Sequence, residues 1–252
     1  VKLDNQEAMQ FRLSSPFGFF QWGETLGDRR VSTPFLSKTE VLGMIGGMLG
    51  MPGYAQEMTI KRLGGVNLTP FYEVLSGLEV AIIPSAHPTW FEDHLIHRHM
   101  EHINLNGALQ VEMMGLTKPS FQVVIRPGTV DNSIYCQIVD KLNKKSGVFP
   151  PFMGKNQFPV EVSDVQKVFL SPIRDRRTTI DSLYRFESVK TEPEVYEFEI
   201  EDGEYHYGAQ LKFYVPGNEP QIERRQCFWS SFEATFHDVV YETDNNLRLV
   251  FL

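Results

Sequence analysis

The stretch Val31-Ser-Thr-Pro-Phe-Leu-Ser-Lys-Thr-Glu-Val-Leu-Gly-Met-Ile-Gly-Gly-Met-Leu-Gly50 reads as a loop feeding a capped helix. Pro34 blocks a helix upstream. Ser37 and Glu40 have the spacing of a capping box, in which hydroxyl and carboxylate each take up the other residue's backbone N–H. Val41, Leu42, Ile45, Met48 and Leu49 then recur at helical spacing, which predicts a helix over 37–49 ended by Gly50 and Pro52. Gly43, Gly46 and Gly47 lie inside it. Each costs roughly 1 kcal/mol relative to alanine, a cost that a closely packed neighbour on that face would explain. A glycine-bearing segment ending in Arg29-Arg30 precedes it. A basic loop leading to a helix N-terminus is a plausible anion site, because free N–H groups and the helix dipole both favour negative charge.

Outward from that helix, residues 11–20 read as a first strand interrupted by Pro16. Residues 51–75 read as mixed, with room for a short helix. Residues 78–83 form a strand whose dense apolar content suggests a central place in a sheet. Residues 84–118 look long and irregular, and 120–126 is the next strand. Ile134, Ile138, Val139 and Leu142 place a second helix over 130–145, with Lys141, Lys144 and Lys145 at its C-terminal end and Gly147 suited to the cap. Residues 160–170 are strand-like. The order β-α-β-β-α-β is the ferredoxin-like arrangement used by RNA-recognition (RRM) domains, in an α+β chain. From 178 on the pattern is all-β. Residues 196–200 and 210–215 alternate, with Asp202-Gly203 as a turn between strands. The expected organisation is an RRM-like domain over 1–175, with an insertion at about 84–118, and a β-rich extension over 176–252 packed on it.

The net charge of −8 argues at first against nucleic acid. Residues 187–204, however, hold eight acids against Lys190, so the rest of the chain is close to neutral. Basic residues elsewhere cluster locally: Arg29-Arg30, Lys61-Arg62, Lys144-Lys145, Arg176-Arg177, Arg224-Arg225. Binding needs a local basic surface rather than a basic protein. Cys136 and Cys227 lie far apart, in contexts unlike a metal or redox motif, and read as two buried free thiols of a reducing compartment. No apolar run is long enough to span a membrane, and the first residues lack a signal-peptide core. A cytoplasmic location is therefore expected.

Two further segments bear on function. Val148-Phe-Pro-Pro-Phe-Met-Gly-Lys-Asn-Gln-Phe-Pro159 is an aromatic-proline run with a glycine turn, and Asp181-Ser-Leu183 follows. With the first strand, the basic loop, Thr33-Pro-Phe35 and the glycine-bearing helix, these resemble, in order and spacing, the fifth CRISPR-associated (Cas) protein family. That family belongs to the RAMP superfamily and supplies guide-RNA-binding subunits of type I Cascade complexes. The resemblance covers most of residues 10–185. One departure is that Gly18-Phe19-Phe20-Gln21 stands where many members carry a basic residue.

The resemblance implies a subunit that caps the 5′ handle of the guide RNA. It implies a Cascade backbone subunit and the Cascade large subunit as neighbours, and target DNA met only through the complex. Residues 84–118 would be the "thumb", reaching along the RNA. No cofactor, metal or membrane partner is expected. His87, His94, His97, His99 and His102 cluster in the insertion without a ligand pattern such as H-E-x-x-H. For RNA binding the candidates are Arg29, Arg30, Ser37 and Lys38 around the first helix, and Arg98 and His99 in the insertion. Gly154, Lys155 and Asn156 in the glycine turn are further candidates, with Gln21 and Trp22 as partners for an unpaired base. Catalytic signatures such as a P-loop or a nucleophile elbow are absent from the sequence, so no catalysis is expected. The alternatives are a metal-independent endoribonuclease processing precursor guide RNA, and an acidic α+β interaction module that binds no RNA.

Overall fold

The structure, a computed structural model, describes residues 6–22, 29–65, 69–97, 109–191, 203–215 and 221–252. It is an α+β protein. In chain order its main elements are β1 (Gln6–Ser14), β2 (Arg29–Val31), α1 (Lys38–Leu49), α2 (Tyr54–Arg62), α3 (Phe71–Leu75) and β3 (Glu79–Pro84). Next come β4 (Trp90–His97), β5 (Leu109–Thr117), β6 (Ser120–Arg126), α4 (Asn132–Lys144) and β7 (Glu161–Pro172). The last are β8 (His206–Val215), β9 (Gln221–Ser230), β10 (Tyr241–Thr243) and β11 (Arg248–Leu249).

The central sheet runs β11-β10-β7-β1-β6-β3 and is antiparallel throughout. Strand alternation sorts its residues. Met9, Phe11, Leu13, Val80, Ile82, Val123 and Ile125 face the largest core cluster together with Val41, Leu42 and Ile45 of α1 and Ile138 and Leu142 of α4. Ala8, Ala81, Ile83 and Val124 face the other way, into a smaller cluster with Tyr241 and Leu249.

The first strand begins at Gln6, ahead of the expected start at Phe11, and stops at Ser14 instead of reaching Phe20. After Pro16, residues Phe17–Gly18 leave the sheet and pair with β5 instead, because proline supplies no ladder N–H. Residues 79–84 form the sheet's edge rather than its centre. They are nonetheless almost wholly buried, because the outer edge is covered by main chain: the Leu183 and Leu252 N–H groups donate to the Ile82 and Val80 carbonyls at 2.7 and 2.9 Å. Dense apolar content therefore reported burial on both faces, which two-sided packing gives to an edge strand as well. Asp181-Ser-Leu183 serves this stitching. Asp181 Oδ2 accepts the Arg248 N–H at 2.8 Å, and Ser182 Oγ accepts the Val250 N–H at 3.0 Å.

Three other expectations shift. Residues 51–75 hold two helices, α2 and α3. The C-cap of α4 is Lys145 in the left-handed region (φ 47°), while Gly147 lies against Met48, whose Cα would be 2.7 Å from an added Cβ. Of the two thiols, Cys227 is buried but Cys136 is exposed on α4.

The insertion over 84–118 is regular where described. β4 and β5 form an antiparallel hairpin, and β5 also pairs in parallel with β2, so Arg29 and Arg30 sit opposite Glu112 and Met113. Its root is anchored by Met113 and Leu116, both buried. The two-residue alternation that would have revealed these strands is blurred, because the hairpin carries apolar side chains at successive positions. In the extension, β8 pairs with β9. The expected partner over 196–200, and Asp202 of the expected turn, lie outside the described residues. The extension adds Leu211, Phe213, Cys227 and Trp229 to the main core, and β10 joins the central sheet beside β7.

Candidate nucleic-acid interface

The helix α1 is built as its sequence dictates. Ser37 caps it: its hydroxyl accepts the Glu40 N–H at 3.4 Å, and the Glu40 carboxylate accepts the Ser37 N–H at 2.8 Å. Gly50, in the left-handed region (φ 77°), ends it. Carbonyls at that end also accept from a segment about a hundred residues away. Phe149 N–H donates to Gly47 O at 3.2 Å, and Val148 N–H to Met48 O at 2.9 Å. The same segment reaches the end of the first strand, where Phe19 N–H donates to Met153 O at 3.0 Å. A tight turn follows, with Met153 N–H on Phe158 O and Phe158 N–H on Lys155 O. Gly154 has φ 78°, and a Cβ there would collide with the Phe19 carbonyl. Only glycine lets the turn lie so close to that strand.

Between helix and turn lies a groove of about 800 Å³. Its floor and walls include Gly43, Met44 and Gly47 of α1, Phe71 of α3, and Phe149 to Phe152 of the aromatic-proline run. Gln21, Gly154, Lys155 and Asn156 also line it, as do Glu40 and Lys212, which pair at 3.6 Å. Most of the surface is apolar with a few polar groups at fixed places, the usual make-up of a ligand cleft. Phe149 is 52% exposed and Phe152 45%, so two aromatic rings face solvent where a base could stack.

Of the groove's two lysines, Lys212 pairs with Glu40 and Lys155 faces an aromatic ring. The Lys155 ammonium stands 4.8 Å from the centre of the Phe19 ring. Its pKa is lowered, first by desolvation and then by the positive charge of Arg30. An anion placed there would relieve both effects.

The sequence candidates thus divide. Gln21, Gly154, Lys155 and Asn156 line the groove, and Arg30 acts on Lys155. Trp22 follows Gln21 and keeps its ring 48% exposed. Ser37 is buried, and its hydroxyl is engaged with Glu40 in the cap. Lys38 points to a different cavity, where its ammonium donates to the Leu252 main-chain oxygen at 2.8 Å. Arg29 belongs to β2. Arg98 and His99 lie outside the described residues. Phe149, Phe152 and Lys212 are groove residues that sequence reasoning did not propose for binding, and Gly47, noted there only as a glycine within the helix, is another. The first two stood within a quoted motif, whereas Lys212 comes from β8 and carries no sequence signal linking it to α1. Among the described residues, no group of three or more His, Cys, Asp or Glu side chains could hold a metal ion, and no helix is long and apolar enough to cross a membrane.

No family model matches the chain, and no curated protein matches it. Solved structures do. A chain of a "CRISPR RNA-guided surveillance complex" is 11% identical, with a TM-score of 0.47, over 90% of this chain and 91% of that one. A CRISPR protein from Archaeoglobus fulgidus is 14% identical, with a TM-score of 0.40, over 97% and 98%. A chain of the Type III-B Cmr-beta complex bound to cognate target RNA and AMPPnP is 11% identical, with a TM-score of 0.43, over 91% and 86%. Likeness this distant leaves the functional reading to the chain's own residues.

Proposed function

We propose that this chain is a non-catalytic RNA-binding subunit of a type I CRISPR effector complex. In this reading it holds the 5′ handle of the guide RNA in the groove between α1 and the Gly154-Lys155-Asn156 turn. The observation that carries the reading is that the two segments resembling the fifth Cas family, far apart in sequence, are hydrogen-bonded together around one groove, in which Lys155 is desolvated and backed by Arg30. The strand order β7-β1-β6-β3, with α1 and α4 on one face, supports a ferredoxin-like, RRM-like core. The hairpin β4–β5 is then the thumb, with the backbone and large subunits as neighbours and the cytoplasm as its place of action.

The sheet's other face supports a helix-side site. At the positions where RRM domains stack bases on aromatic rings, this sheet has Gln10, Arg12, Gln122 and Val124, and Gln10 and Val124 are buried. Arg12 is already engaged with Asp164 at 2.7 Å. The groove also favours binding over cleavage. Its titratable lining groups are Glu40, Lys155 and Lys212, and the carboxylate that could act as a base is held in the cap and paired to Lys212.

The test is the double variant Arg30→Ala/Lys155→Ala, co-expressed with repeat RNA and the partner subunits. Guide RNA should be retained less. The slope of log affinity against log salt should become shallower by about 1.4, at about 0.7 for each phosphate of single-stranded RNA that is no longer neutralised. Unchanged guide-RNA occupancy would remove the assignment. Discrete cleavage of repeat RNA by the isolated chain in EDTA would favour the endoribonuclease instead.

A further inference from the structure

We propose that a second cavity, on the other side of the first turn of α1, is a binding site for a phosphate group. This cavity, of about 410 Å³, lies between α1, the central sheet and the C-terminal layer, and Thr39 lines both it and the groove. Four cations face it (Lys38, Arg126, Arg185 and Arg225) against two carboxylates, Glu79 and Asp238.

The carboxylates are already committed. Glu79 is paired with Arg126, whose guanidinium is held 4.5 and 4.4 Å from the Tyr241 and Phe251 rings. Asp238 accepts the Ser188 hydroxyl at 2.6 Å and reaches Arg185 only at 3.5 Å. Arg225 is turned toward Glu223, at 3.3 Å. Lys38 and Arg185 remain. The Lys38 ammonium donates to the Leu252 main-chain oxygen, and the Arg185 Nε is buried with no acceptor. Burial lowers the Lys38 pKa; of the charges near it, Glu79 raises the pKa and Arg185 lowers it.

A buried lysine beside an arginine with an orphaned donor is stabilised by an anion between them. A phosphate suits the place better than a carboxylate. Its oxygens accept in several directions at once, and its double charge matches the excess of four cationic side chains over two carboxylates around the cavity.

The experiment is calorimetric titration of the purified full chain with inorganic phosphate, at constant ionic strength set by chloride. Saturable binding is expected, weakened at least tenfold in both Arg185→Gln and Lys38→Met. An absence of saturation through the millimolar range, or wild-type affinity in both variants, overturns the proposal. Amide shift mapping on the wild-type chain keeps the question open to refutation if a variant fails to fold. The largest changes should fall at residues 38–39, 185 and 238, and changes centred elsewhere overturn it. Parallel titrations with 5′-phosphorylated and 5′-hydroxyl oligoribonucleotides, each competed with inorganic phosphate, separate an RNA phosphate from a free one. The site is distinct from the groove, so its failure leaves the Arg30 and Lys155 result standing.

Discussion

Gly46 lies beneath the ring of Phe71: a Cβ added to Gly46 would stand 2.8 Å from the ring's Cγ. One position on, a Cβ added to Gly47 would meet nothing within 4 Å, because that residue opens on the groove. Two adjacent glycines in one helix therefore exist for different reasons, the first for close packing of α3 and the second with no packing reason at all.

Gly46→Ala should lower the melting temperature. Overpacking against Phe71 costs about 1–3 kcal/mol, and the gain in helix propensity, about 1 kcal/mol, offsets only part of it. Gly47→Ala should stabilise the isolated chain by up to about 1 kcal/mol. It should also reduce guide-RNA retention by narrowing the groove. Thermal melts alongside RNA occupancy of the purified complex check both, and unchanged occupancy in Gly47→Ala would show that the open face is not used.

Gly154→Ala strains the turn twice, through its positive φ and through collision with the Phe19 carbonyl. Left-handed alanine alone costs about 1–2 kcal/mol, and the collision adds to it. Denaturant unfolding should show at least that loss, and Lys155 should lose its place beside Phe19. Retained RNA binding in a folded Gly154→Ala chain would argue that this turn does not position the lysine.

Ser37→Ala should destabilise the chain by about 0.5–2 kcal/mol, the value of a helix N-cap. The buried hydroxyl serves Glu40 rather than the groove. RNA affinity, measured well below the melting temperature, should therefore stay close to that of the wild type.

Lys38 carries a pH signature. Its folded pKa is lowered to about 8, chiefly by burial, from the ordinary 10.5. The unfolded chain therefore holds more protons than the folded one between pH 8 and 10.5, and the contribution of this group to stability rises with pH across that window. Below pH 8 the buried charge costs on the order of 3 kcal/mol. Lys38→Met should melt higher than the wild type at about pH 7, and its advantage should shrink as the pH rises from 8 toward 10.5. A difference in melting temperature that does not change with pH would contradict this account.

Some of this architecture was legible in the chain and some was not. The capping box, the apolar stripe of α1 and the strands around Val123 and Val168 depend on contacts within a few residues, and their signals are local. The edge position of 79–84 depends on Leu183 and Leu252 covering it from far along the chain. The hairpin β4–β5 was hidden because its apolar residues do not alternate cleanly.

The candidate site follows the same division. Residue order alone marked the short segments that carry special chemistry: a glycine-bearing capped helix, an aromatic-proline run, and a glycine turn with a lysine. Local sterics and hydrogen-bonding preferences are written into a few neighbouring residue types. Folding in three dimensions was needed to bring helix and turn to one groove, to set Arg30 against Lys155, to commit Ser37 to the cap, and to aim Lys38 at another cavity. Those outcomes are set by which backbone groups and charges are desolvated together, and the pairing of residues about a hundred positions apart leaves no periodic trace in the chain.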